Sequence, residues 1–150
     1  MERAPMDVTA LPFNRLVGLE MVSPESGFLL SLPAAERYLN HLGTVHAAAQ
    51  LALAEATSGE FLLRRFGAAS GTVPLVRRLE ARFREPAHGR LSSRASAEDG
   101  ALAKLATDLE ERGRGRVRVS VEIVDEHHVV TMTAVVEWFV AKHPGGSAPS

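Results

Sequence analysis

Apolar positions change their spacing several times along this chain, and each change marks an element. Two short apolar runs, 16–22 and 27–32, flank Ser23-Pro24-Glu25-Ser26-Gly27, a turn composition, so the pair predicts a hairpin. A polar loop follows. Alanine and leucine then dominate, which predicts a helix over 45–66 with Thr44 as its N-cap. Its first half is apolar nearly all round, the pattern of a helix buried on most faces. Beyond Gly71 the spacing changes: Val73, Leu75, Leu79, Ala81 and Phe83 alternate with Val76, Arg78, Glu80, Arg82 and Arg84, a half-exposed strand. The segment Glu85-Pro86-Ala87-His88-Gly89 turns the chain into a strand over 90–96. Leu102, Leu105, Ala106 and Leu109 recur at helical spacing; Val117, Val119, Val121 and Ile123 form a strand, and a turn at 125–128 leads to a last strand over 129–140. A hairpin, one long helix and then strands joined mainly by turns predict an α+β fold. In it an antiparallel sheet of about five to six strands wraps one long central helix. Residues 1–12 read as a leader, loose over 1–10, residues 13–141 as the domain, and 142–150, rich in Gly, Pro and Ser, as a disordered tail.

Composition narrows the function classes. The 150 residues suit one domain, and 45% hydrophobic with 23% charged residues is the balance of a soluble globular protein. A net charge of −1 gives no global attraction to nucleic acid or anionic membrane. No apolar run approaches the ~20 residues of a membrane span, and the N-terminus carries Glu2 and Asp7 rather than a signal-peptide core, so the expected location is the cytoplasm. There is no cysteine, which removes disulfides and thiolate chemistry; no metal and no cofactor is expected. Lys104 and Lys142 are the only lysines, so the basic side chains are arginines, suited to directional phosphate binding.

The chemistry concentrates in Asn40-x-x-Gly43-Thr44-Val45-His46-Ala47-Ala48, followed by Leu53-Ala54-Glu55. This segment resembles the hotdog-fold thioesterases, especially the phenylacetyl-CoA-type branch, over roughly 13–140. Their pattern is Asn, Gly, His-Gly-Gly and then an acid on the helix; here both Gly-Gly positions are alanine and the acid is Glu where many members have Asp. Phe83-Arg84-Glu85-Pro86-Ala87-x-Gly89 resembles their Phe-x-x-Pro-Ala-x-x-Gly strand end. A Ser or Thr that they often carry earlier on that strand falls near Val76, with Thr72 close by in sequence. The resemblance implies a hotdog fold and hydrolysis of an acyl-CoA-type thioester. Glu55 would be base or nucleophile, backbone N–H of Ala47 with help from Asn40 would hold the oxyanion, and His46 would position the thioester. Gly43, Thr72 and Val76 would line the substrate, and Arg84 or Arg90 would contact CoA phosphates beside the turn where the cofactor arm lies.

The residues argue the same way without the family. Glu55 is the one acid in an apolar stretch, and a desolvated carboxylate is a stronger base. The start of the same helix offers free N–H groups and the positive dipole end, suited to an oxyanion. Nine residues separate His46 from Glu55, which places them on opposite helix faces about 13 Å apart. One helix cannot present both to one carbonyl; two antiparallel copies in a homodimer can, and a dimer of dimers is compatible. Each residue also has a plainer role. Glu55 can pair with Arg64 or Arg65, His46 can merely start the helix, Asn40 can merely shape a loop, and Arg78, Arg82, Arg84 and Arg90 can be a solvated strand face. His127-His128 diverge as turn neighbours. Two other functions remain open: dehydration of a 3-hydroxyacyl thioester, with His41 preceding Glu55, and acyl-CoA binding without turnover.

Overall fold

The computed structural model describes residues 6–66 and 71–143. Pro12 opens a short helix, α1 (Pro12–Val17), and Gly18, at φ 94°, closes it. Leu16 therefore lies on a helix and not on the first arm of a hairpin. The expected hairpin is real but shorter: β1 (Glu20–Met21) pairs antiparallel with β2 (Leu30–Leu32), with a 3-10 turn at Pro24–Ser26 between them. The run 16–22 is too short for its period to separate helix from strand. Ahead of α1, Asp7 caps a 3-10 turn (Val8–Ala10) by accepting the Thr9 N–H at 2.9 Å, and Val8 is 4% exposed within the core. The stretch read as a loose leader thus contributes to the core from Val8 onward. Residues 1–5 and 144–150 lie outside the described residues.

The remaining elements are α2 (Ala47–Phe66), β3 (Thr72–Phe83), β4 (Leu91–Ser96), α3 (Ala101–Arg112), β5 (Arg114–Val124) and β6 (Val130–Lys142). Lys142, assigned above to the tail, pairs with Thr72 as the end of β6. The six strands form one antiparallel sheet in the order β1-β2-β4-β5-β6-β3, wrapped around α2: this is the hotdog fold. The hydrophobic side of α2, with Leu53, Ala54 and Ala56, meets Leu30, Leu91, Ile123 and Val136 of the sheet, all at most 1% exposed. Burying each of the larger side chains contributes roughly 1.5–3 kcal/mol. Gln50 and Thr57 on α2 are sealed in with partners: Thr131 Oγ1 donates to Gln50 Oε1 at 3.1 Å, and Thr57 bonds the Leu53 carbonyl at 2.6 Å and Ser93 Oγ at 2.5 Å. No helix among the described residues is long and apolar enough to cross a membrane.

β3 departs from simple alternation. Opposite β6 its register jumps between Val76 and Arg78, leaving Arg77 as a bulge residue. Before the bulge, Pro74 and Val76 stand opposite the buried Val140 and Trp138; after it, Leu79 and Ala81 stand opposite Val136 and Ala134. Cross-strand partners share a face. The residues on the helix side of the sheet are therefore Thr72, Pro74 and Val76, then Leu79, Ala81 and Phe83, of which Pro74, Val76 and Phe83 stay exposed at this edge. Val73 and Leu75, expected on the inner face, turn outward because one extra residue reverses the parity.

Candidate active site

The start of α2 is built by two loops. His46, not Thr44, caps the helix: its Nδ1 accepts the N–H of Ala48 at 2.9 Å, and its carbonyl accepts from Ala49 and Gln50. The N–H of Val45 is given to the Ala87 carbonyl at 2.9 Å and that of His46 to the Tyr38 carbonyl at 2.7 Å. Ala47, at the first helical position, is left with no acceptor for its N–H among the described residues, and it is exposed. It is the open backbone donor at the positive end of the helix.

Asn40 shapes the approach to that donor. Its Oδ1 accepts the N–H groups of Leu42 at 2.9 Å and Thr44 at 3.1 Å, and its Nδ2 donates to Thr44 Oγ1 at 2.9 Å. Gly43 sits inside this turn at φ 77°, a conformation that side chains disfavour. The second motif meets the first here, since the Val45 N–H acceptor is Ala87 of the Pro86-Ala87 pair. Two segments far apart in sequence are thus one support for the helix start.

Glu55 lies two and a half turns further along α2 and faces a different space. It opens on a cavity of about 250 Å³ whose walls are mostly apolar. Met6, Val8 and Leu11 close it from the N-terminal segment, Leu105 and Leu109 from α3, and Trp138 from β6. Glu55 is half-buried and is the one ionisable residue lining this cavity among the described residues. Its carboxylate makes no hydrogen bond or ion pair with them. Arg64 pairs with Glu60 instead, at 2.9 Å, and Arg65 lies over the Phe61 ring. Burial without a partner raises the Glu55 pKa above the usual glutamate range.

The structure brings Thr72 to the same cavity as Glu55. Val76 stands on the same sheet face, opposite Trp138, but partly exposed at the sheet edge. Within one chain, Asn40, Gly43, His46 and Ala47 cluster at the start of α2 and do not meet Glu55, eight residues beyond Ala47. Arg84 and Arg90 lie on the outer face of the sheet: Arg84 Nε donates to Thr133 Oγ1 at 3.1 Å, and Arg90 bridges Glu20 at 3.1 Å and Ser31 at 2.9 Å. Sequence reasoning missed the N-terminal wall, Met6 to Leu11; Pro12 beside the apolar Val8 and Leu11 was the available sign. It also missed Trp138, whose Nε1 donates to Ser58 Oγ at 2.9 Å while Ser58 Oγ donates to the Glu55 carbonyl at 2.7 Å.

Comparison with known proteins agrees with this architecture. A 28% identical Pseudomonas aeruginosa protein of unknown function, named a probable thioesterase, superposes with a TM-score of 0.78 over 91% of this chain and 91% of its own. A Haemophilus influenzae thioesterase shares 17% identity at a TM-score of 0.68, covering 90% of this chain and 86% of its own. A Bacillus halodurans protein solved with CoA shares 18% at 0.65, covering 85% and 74%. No curated protein matches this chain at a significant level. Residues 8–140 match the family described as Domain of unknown function (DUF4442). The chain belongs to that family, and its fold makes it a member of the hotdog-fold thioesterase superfamily.

Proposed function

We propose that this protein hydrolyses acyl thioesters of the acyl-CoA type, with Glu55 as the base or nucleophile. The observation that carries the reading is an unpaired, half-buried carboxylate in the wall of an apolar cavity. Such a group is costly to keep unless it is used. Glu55 takes a proton from water as the oxygen adds to the acyl carbon, or its own oxygen adds to give a mixed anhydride that water then opens. In both routes the C–S bond breaks, the sulfur leaves as thiol after gaining a proton, and the acid is released. The Ala47 N–H receives the charge that develops on the carbonyl oxygen. With Nδ1 of His46 an acceptor, its other nitrogen is the donor that orients the thioester. Asn40 positions Ala47 through the turn it closes.

Because His46 and Glu55, nine residues apart, point to opposite sides of α2, the site is read as shared between two chains of a homodimer. Two exposed surfaces support that reading: the helix start at His46, Ala47 and Ala48, and the long edge strand β3, which leaves Leu75, Val76 and Phe83 open to solvent. Superposable proteins named as a thioesterase and solved with CoA support the reaction class and the ligand. The test is free-thiol release from a panel of short, long and aryl acyl-CoAs. With no cysteine in the chain, the protein itself gives no background in that assay. Release from at least one member of the panel is expected; release from none sinks the reaction.

A further inference from the structure

We infer that the cavity beside Glu55 takes the straight, unsubstituted hydrocarbon chain of an aliphatic acyl thioester, and that Gly59, facing Trp138, sets how long that chain can be. The inference rests on the thioester reading of Glu55 and adds to it the class of acyl group.

The shape follows from the helix. Glu55, Gly59, Leu62, Leu63 and Phe66 all line the cavity. Their spacing, four, seven, eight and eleven residues beyond Glu55, draws one stripe along α2, roughly 16 Å from the carboxylate to Phe66. A space of about 250 Å³ that follows one helix face for three turns has the length of an extended acyl chain. The chemistry follows from the walls. Besides Glu55 only Asn14 and Thr72 are polar, and Asn14 spends its amide on the Val8 carbonyl at 2.9 Å. A carboxylated or hydroxylated acyl group would be stripped of water there beside an anionic side chain.

Gly59 and Trp138 wall the cavity from helix and sheet one turn beyond Glu55, so an acyl chain laid along this stripe runs beside the pair. A Cβ built on Gly59 would lie 3.6 Å from Trp138 Cζ2, an ordinary contact distance, so the glycine leaves open a gap that any larger side chain would fill. Trp138 cannot swing aside to compensate. It is 7% exposed, and its indole N–H is held by Ser58, which is itself bonded to the Glu55 carbonyl.

The test uses S-alkyl-pantetheine thioethers from butyl to hexadecyl, bound to the intact protein and followed by calorimetry, beside thiol release from the matching thioesters. For the wild type, affinity should rise about fourfold per added methylene and level off once the channel is full. Gly59→Leu should stop the rise after the first few carbons, lowering the long-over-short affinity ratio by about tenfold or more. Gly59→Ala should lower the same ratio severalfold; because alanine favours a helix, this variant folds and decides the matter if Gly59→Leu does not. Affinity independent of chain length, no binding of any thioether, or a ratio unchanged in both variants would overturn the inference. Thioethers cannot be hydrolysed, so length-dependent binding without thiol release sinks the reaction and leaves the chain site standing. Thiol release without length dependence does the reverse.

Discussion

The Nδ1 of His46 accepts the backbone N–H of Ala48 at 2.9 Å, so the imidazole caps the helix that carries Glu55. Capping and catalysis then make separable demands on one side chain. His46→Ala should cost about 1 kcal/mol of stability, and His46→Asn should recover most of it because the Asn oxygen can accept the same N–H. Turnover should stay low in both, since neither supplies the ring N–H that orients the thioester. Thermal midpoints and kcat on the two variants check this. Turnover that recovers together with stability in His46→Asn would reduce His46 to a cap.

Ala47 allows a test of the shared site. Proline is well tolerated at the first helical position, so Ala47→Pro should fold while removing the one open N–H. Ala47→Pro and Glu55→Gln homodimers should both be nearly inactive. Mixed after dissociation, they should regain up to about a quarter of wild-type activity, because half the dimers are mixed and each of those holds one complete site. A mixture no more active than its parts would show that both groups act within one chain or not at all.

The Glu55 carboxyl has its pKa raised by burial with no partner to pull it down. The folded protein therefore holds this proton more tightly than the unfolded chain, and the group's contribution to stability is lost as pH rises from the usual glutamate range through the raised value. Above that window the wild type carries an ionised, half-desolvated carboxylate and Glu55→Gln does not. The stability difference should thus shift toward the variant as pH rises and then flatten, as thermal midpoints against pH would record. Turnover should rise over the same window as the base ionises. A stability difference that does not change with pH would contradict this account.

Arg84 and Arg90 divide on their partners. Arg90 is tied to Glu20 and Ser31, whereas among the described residues the Arg84 guanidinium bonds Thr133 alone. Arg84→Ala should raise KM for acyl-CoA more than for a truncated thioester lacking the nucleotide. Arg90→Ala should change both alike and cost under about 1 kcal/mol, the scale of an exposed ion pair. Equal KM effects in Arg84→Ala would remove it from phosphate binding.

Much of this was legible in the chain because local pattern and global fold agree. The all-round apolar half of α2 announces a wrapped helix, and the position of Glu55 in it announces the half-buried carboxylate found there. Three things were not legible. The Arg77 bulge reverses which β3 residues face inward, and no alternation count can detect one extra residue. His46 rather than Thr44 caps α2, because Thr44 is held by Asn40 in the preceding turn. The N-terminal wall of the cavity depends on where Val8 and Leu11 come to rest, a tertiary fact that a stretch too short to show a period does not encode.

The central claim is that the Glu55 carboxylate is kept for chemistry rather than for structure. Glu55→Gln preserves size and hydrogen-bonding atoms and removes charge and basicity. Measured on one sample, thioester turnover should fall by about 10² or more, while the thermal midpoint at neutral pH stays level or rises, since an unpaired half-buried charge has gone. Near wild-type turnover with a lowered midpoint would contradict the account.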